Sequence, residues 1–157
     1  MARAFDGLKV LDFGWIGVGP ITARYFGDNG ATVIRVESLT RFDGLRMAPP
    51  YKNAKPGLNN SQFFANFNAS KLSLGLNMAQ AQAQAIAKRL CLEWADVVVE
   101  GFTPKQMRAW GLHYEDLSPT RPESSASARA STAAPRACRV RSAETSTSRC
   151  TRRGRWS

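Results

Sequence analysis

Gly14-Trp15-Ile16-Gly17-Val18-Gly19-Pro20 gathers three glycines and a proline directly after the apolar run Leu8-Lys9-Val10-Leu11-Asp12-Phe13. Glycines at this density make a tight loop whose backbone can come close to a ligand. Where such a loop opens a helix, its N–H groups attract phosphate or carboxylate. Glu37 closes a second apolar run, Ala31-Thr32-Val33-Ile34-Arg35-Val36, where a dinucleotide fold would hold a ribose hydroxyl. The loop reads G-x-x-G-x-G, against the dinucleotide fingerprint G-x-G-x-x-G, so a nicotinamide site fits poorly and a plain tight turn competes with a ligand loop. Asp12 is the acid nearest the loop and is not assigned as a nucleophile. His113, the single histidine, falls in a turn between helices and reads as a surface residue, with no Ser–His–Asp set around it. Cys91, Cys138 and Cys150 lack metal-ligand spacing, and Cys91 reads as inert core. Trp15 either lines a pocket or covers the sheet.

The elements that must position these residues follow from periodicity. Strands are expected near 8–13, 31–37, 72–77 and 97–100, and helices near 20–28, 79–94 and 104–110. Pro20 suits a first helical turn, because its missing N–H costs nothing there. Gly30 and Gly111 suit helix ends. Ala83, Ile86, Ala87, Leu90, Cys91 and Trp94 share one face of the third helix, opposite a face of Gln, Lys and Arg. Phe63, Phe64 and Phe67 form an aromatic cluster at helical spacing, and Tyr114–Leu117 starts a further helix. Residues 38–62 lack periodicity and read as a long loop, of the kind that is functional or mobile. Strands alternating with helices imply an α/β domain with a mostly parallel sheet.

Charge divides the chain in two. The 157 residues carry a net +10, but residues 1–120 hold 13 basic and 10 acidic side chains, while residues 121–157 hold nine Arg and two Glu. That second segment has no Leu, Ile, Phe, Met or Tyr, and cannot bury enough surface to offset its ordering entropy. The domain is therefore expected over 1–120, with a disordered Arg/Ser/Ala-rich tail over 121–157. No apolar run approaches the roughly 20 residues that cross a bilayer, and no secretory core follows Met1. With its unpaired cysteines the pattern points to a reduced, cytoplasmic setting.

Four blocks then carry a resemblance. The first is Leu8-Lys9-Val10-Leu11-Asp12-Phe13 with Gly19-Pro20 and Gly30-Ala31-Thr32-Val33-Ile34-Arg35-Val36-Glu37. The second is Phe63-Phe64 with Asn68-x-x-Lys71-x-Ser73-Leu74. The third is Ala95-Asp96-Val97-Val98-Val99-Glu100-Gly101-Phe102-Thr103-Pro104. The fourth is Gly111-Leu112-x-Tyr114-Glu115-Asp116-Leu117. In this order and spacing they resemble the N-terminal part of the family III CoA-transferases (CaiB/BaiF-type), whose fold is a Rossmann-like nucleotide-binding α/β domain. The resemblance implies an enzyme that moves CoA between an acyl-CoA and a carboxylic acid. An Asp nucleophile would attack the thioester, form a mixed anhydride and then carry CoA itself, dividing one hard exchange into easier steps. No permanently bound cofactor is implied; the CoA thioester is the substrate.

By position, the resemblance implies CoA contacts at Ile16, Gly17 and Val18, at Leu76, Asn77, Met78 and Ala79, and at Gly101, Phe102 and Thr103. An Arg that the family places near the adenosine phosphate falls at Ala109, with Arg108 beside it. Ser38 and Leu72 also stand where the family carries cations. The likeness stops near Pro122-Glu123, and residues 124–157 contain no Asp to serve as the nucleophile. The expectation is a truncated domain, its tail a frameshift product, transferring no CoA; a natural basic tail is the alternative. The family's interlinked homodimer is not expected of this chain. The related acyl-CoA racemase branch shares these blocks and is a second reading. A third, from another class, is sequence-blind nucleic-acid binding through the nine tail arginines.

Overall fold

The computed structural model describes residues 2–117 and the strand at 138–141. Five parallel strands form one sheet: β1 (Lys9–Phe13), β2 (Thr32–Glu37), β3 (Leu72–Gly75), β4 (Val97–Glu100) and β5 (Cys138–Arg141). Their order is β3-β2-β1-β4-β5. The registers are Val10 with Val33, Val10 with Val97, and Ile34 with Leu72. Among the described residues five α-helices accompany them: α1 (Val18–Asp28), α2 (Gln62–Phe67), α3 (Ala81–Arg89), α4 (Pro104–Ala109) and α5 (Tyr114–Leu117). The chain moves outward from β1 through β2 to β3, then crosses back to the far side of β1. A crevice opens where that direction reverses, between the carboxyl ends of β1 and β4.

Side-chain alternation assigns the two faces of the sheet. Val10, Val33, Val97 and Val99 pack with Ala23 of α1 on one face. Leu11, Phe13, Val36 and Val98 pack with Ala83, Ala87 and Cys91 on the other. Residues 10–13 and 97–100 are all buried, as expected for central strands of a parallel sheet covered on both sides. The small alanines at 83 and 87 let α3 come close to the sheet, and Cys91 is buried core as the sequence suggests.

Several boundaries differ from the sequence expectation. The third helix is regular only to Arg89 and continues as one wide π turn over Leu90–Trp94. There the Ala95 N–H reaches the Leu90 carbonyl at 2.9 Å and the chain is aimed into β4. α1 begins at Val18, so Pro20 sits third in its first turn, where backbone N–H groups have no helical acceptor. β3 ends at Gly75, because Leu76–Ala79 turn over the sheet edge, with Ala79 N–H on Asn77 Oδ1 at 3.2 Å.

His113 is buried, not on the surface. Gly111, at φ 64, takes the left-handed conformation that ends α4, and the Leu112 N–H returns to the Met107 carbonyl at 2.9 Å. Leu112 is thereby driven into the core and carries His113 in behind it.

The sheet does not stop at β4. Cys138–Arg141 lies parallel to it, with Val97 opposite Cys138 and Glu100 opposite Arg141. An edge strand presents unpaired N–H and C=O groups that an extended segment can pair with, and here the tail supplies one. At these four residues the tail adds a strand beside β4. The rest of the expected tail lies outside the described residues. Among the described residues no helix is long and apolar enough to cross a membrane.

Candidate functional site

The carboxyl edge of the sheet carries two unlike assemblies, one ionic and closed, the other aromatic and open.

The ionic assembly starts at Asp12, which β1 buries completely. Lys71, just before β3, sends its ammonium to Asp12 Oδ2 at 2.8 Å, the Pro20 carbonyl at 2.8 Å and Asn68 Oδ1 at 2.9 Å. Those three acceptors satisfy all three of its donors. Asp12 Oδ1 accepts the Gly14 N–H at 2.7 Å. Arg35 donates to the Gly14 carbonyl at 2.8 Å and to Asp43 Oδ2 at 2.6 Å. Burial pushes the Asp12 carboxyl above its ordinary range, against the pull of Lys71 and Arg35. Burial likewise pushes the Lys71 ammonium down, against the pull of Asp12.

The network continues into the segment that has no periodicity. Glu37 receives Arg46 on both oxygens at 2.8 Å, and its Oε1 also accepts the Asp43 N–H at 2.9 Å. Burial alone would raise the Glu37 carboxyl, but the bonds from Arg46 and Asp43 and the charge of Arg35 outweigh it and hold it below its ordinary range. The Phe64 ring of α2 lies 3.7 Å under the Arg46 guanidinium and 5.4 Å from that of Arg35. Ser61 caps α2 and holds the Leu45 and Ala48 carbonyls at 2.8 and 2.7 Å. Residues 43–61 are thus tied to the sheet edge. Glu37, with both oxygens engaged, is not presented to a ribose.

The glycine loop is held by this network. A side chain on Gly14 would stand 2.8 Å from Asp12 Oδ1 and 2.9 Å from the Gly19 Cα, so only glycine permits the approach. Ile16, at φ 46, is an unusual conformation for a β-branched residue, and its N–H points to Asp43 Oδ2 at 3.4 Å. Ile16 and Val18 are exposed.

The open assembly is a crevice of about 360 Å³ on the α3 side of the sheet. Phe13 and Trp15 at the end of β1, Glu37 and Ser38 at the end of β2, Leu76–Ala79 after β3 and Gly101–Thr103 after β4 line it. Trp15, Phe102 and Trp110 form one wall, with edge-to-face contacts at 5.2 and 4.9 Å. Its volume is at the lower end of ligand sites, enough for part of a large cofactor-like molecule rather than all of it.

Of the residues implied by resemblance, the structure gathers Leu76, Asn77, Met78, Ala79, Gly101, Phe102 and Thr103 around this crevice. Ile16, Gly17 and Val18 are not among the residues lining it; their neighbour Trp15 is. Arg108 is not there either: it lies on the exposed side of α4 and pairs with Glu115 at 3.2 Å. Sequence reasoning missed Asp43, Arg46, Arg41 and the closing role of Lys71. The Asp43-Gly44 pair was a usable signal, since an Asp that caps a tight turn accepts a nearby N–H, here Leu45 at 2.9 Å.

Known proteins resemble this chain in sequence and in fold. The sequence model of CoA-transferase family III matches residues 5–123. A probable CoA-transferase of Mycobacterium tuberculosis is 38% identical over 113 residues, covering 72% of this chain and 13% of that protein. Mouse succinyl-CoA:glutarate CoA-transferase is 31% identical over 121 residues, covering 76% and 26%. A crystal structure of another Mycobacterium tuberculosis protein superposes with a TM-score of 0.70 at 28% identity, over 89% of this chain and 34% of that one. A CaiB/BaiF family protein from Brucella suis gives a TM-score of 0.67 at 30% identity, over 78% and 32%. The chain therefore spans about a third or less of the length of these relatives.

Proposed function

The chain belongs to CoA-transferase family III, and on that premise we propose that its crevice takes the CoA portion of an acyl-CoA whose thioester is exchanged with a carboxylic acid. The observation that carries this reading is the crevice itself. It opens beyond the carboxyl ends of β1, β2, β3 and β4, at the point where strand order reverses, and an aromatic wall faces it. Apolar walls with a few polar groups suit an adenine ring or a pantetheine arm. Relatives named as succinyl-CoA:glutarate and succinyl-CoA:(R)-benzylsuccinate CoA-transferases support the reaction class. The test is a CoA titration followed by tryptophan fluorescence, since Trp15 and Trp110 both line the crevice. A saturable change that Phe102→Ala removes is expected. A flat titration overturns the reading.

For the 157-residue chain we infer binding without turnover. Asp12, the carboxylate nearest the glycine loop, is fully buried and held by Lys71 and the Gly14 N–H, so it cannot reach a thioester. Residues 124–157 offer no other Asp. Incubation with an acyl-CoA and a set of carboxylic acids, followed by mass, is expected to show no thioester exchange. Exchange that Asp12→Asn abolishes would assign the nucleophile to Asp12 and overturn this inference.

A further inference from the structure

Resting on the reading of the crevice as a CoA site, we propose that Arg41 is its phosphate-binding residue, contacting a phosphate of the CoA nucleotide. Arg41 lines the crevice and is exposed at its mouth. It is the single Lys or Arg in that lining. The neighbouring cations are all engaged. Lys71 is saturated by three acceptors, Arg35 holds Asp43 and the Gly14 carbonyl, and Arg46 holds Glu37. Arg41 has no hydrogen bond or ion pair to any of the described residues. The one carboxylate in the lining, Glu37, is neutralised by Arg46 on both oxygens, so Arg41 sets the charge that an entering ligand meets.

Its position is built. Glu37 and Asp43 are both buried and bonded to each other, so residues 38–42 form a short arch pinned at its two ends. Within the arch, Ser38 Oγ accepts the Thr40 N–H at 3.1 Å and lies 2.7 Å from Thr40 Oγ1. That turn leaves Leu39 in solvent and returns Arg41 to the mouth of the crevice. A guanidinium meets phosphate through two parallel charge-assisted bonds, and an arginine without a protein partner has none to break first. The aromatic wall then takes the uncharged part of the same molecule.

The test titrates the wild-type chain, Arg41→Gln and Arg41→Lys with CoA, with dephospho-CoA and with pantetheine, following tryptophan fluorescence. Arg41→Gln is expected to weaken CoA about tenfold and Arg41→Lys by less. Pantetheine, which has no phosphate, is expected to bind all three proteins alike. A loss seen with CoA but not dephospho-CoA assigns the 3′-phosphate, and an equal loss with both assigns the diphosphate. Thermal unfolding should coincide across the three, because Arg41 holds nothing in the fold. Equal CoA affinity in wild type and Arg41→Gln would overturn the assignment while leaving the crevice a CoA site. So would an equal loss with pantetheine. Absence of saturable CoA binding by the wild type would overturn both the crevice reading and the assignment.

Discussion

The ionic assembly under the glycine loop and the aromatic crevice across the sheet share one strand edge and one residue, Glu37, yet are built on opposite rules. In the first, Lys71 holds Asp12, Arg35 holds Asp43, Arg46 holds Glu37, and Asp12 and Arg35 also bond the loop backbone. In the second, Arg41 and an aromatic wall face open space. Apart from Arg35 Nε, which is buried without a hydrogen bond, the charged groups of the first assembly are bonded within it, so it can do little besides hold shape. A ligand site must leave groups unmet. The contrast assigns the two sides of the sheet edge to different tasks: one fixes the glycine loop and the 43–61 segment, the other is free to bind.

The largest effect that would break this division is on stability. Lys71→Ala leaves the Asp12 carboxylate buried without its main partner and should cost about 3–5 kcal/mol, read by urea unfolding. A cost below about 1 kcal/mol would mean that the ionic side is no scaffold. Phe102→Ala should show the opposite balance: a larger proportional loss of CoA affinity than of stability, because Phe102 is the middle of the aromatic wall and only partly buried.

Acid should act through Glu37. Its folded carboxyl lies below the unfolded value, so the stability it adds is present above the unfolded value and is lost as pH falls through the folded one. Unfolding curves between about pH 5 and pH 3 should show that loss, and Arg46→Gln should flatten it. Asp12 works in the other direction, since burial holds its carboxyl above the ordinary range. The smallest expected effect is at Arg108. Its contact with Glu115 is exposed, so Arg108→Ala should change stability by less than about 0.5 kcal/mol. It should leave CoA affinity unchanged; a clear loss of affinity would return Arg108 to the site that the sequence resemblance implied.

The open side was the more legible in the sequence. Apolar runs mark β1, β2 and β4 and alternation marks β3, and the segments at 76–79 and 101–103 follow β3 and β4 directly, so their convergence at one edge follows from a parallel α/β order. The closed side was not. Lys71 and Asp12 are far apart in the chain, and Asp43 and Arg46 lie in a stretch without periodicity, where charges ordinarily read as solvated loop. Only pairing across the sheet edge makes them buried. The same limit hid His113, whose burial follows from the left-handed turn at Gly111 rather than from its own surroundings in sequence. Ile16–Val18 were singled out for a loop whose one crevice residue is Trp15, because glycine density locates a loop but not which of its side chains turns inward.

On this reading CoA binds on the open side of the sheet edge. Amide chemical-shift mapping of the 157-residue chain during addition of CoA tests it most directly. The largest shifts are expected at Trp15, residues 38–41, Leu76–Ala79, Gly101–Gln106 and Trp110, with the Asp12–Lys71 surroundings nearly still. Shifts concentrated at Ala31–Val33 and Ser70–Leu72, on the opposite side of the sheet, or confined to the arginines after residue 120, would contradict it.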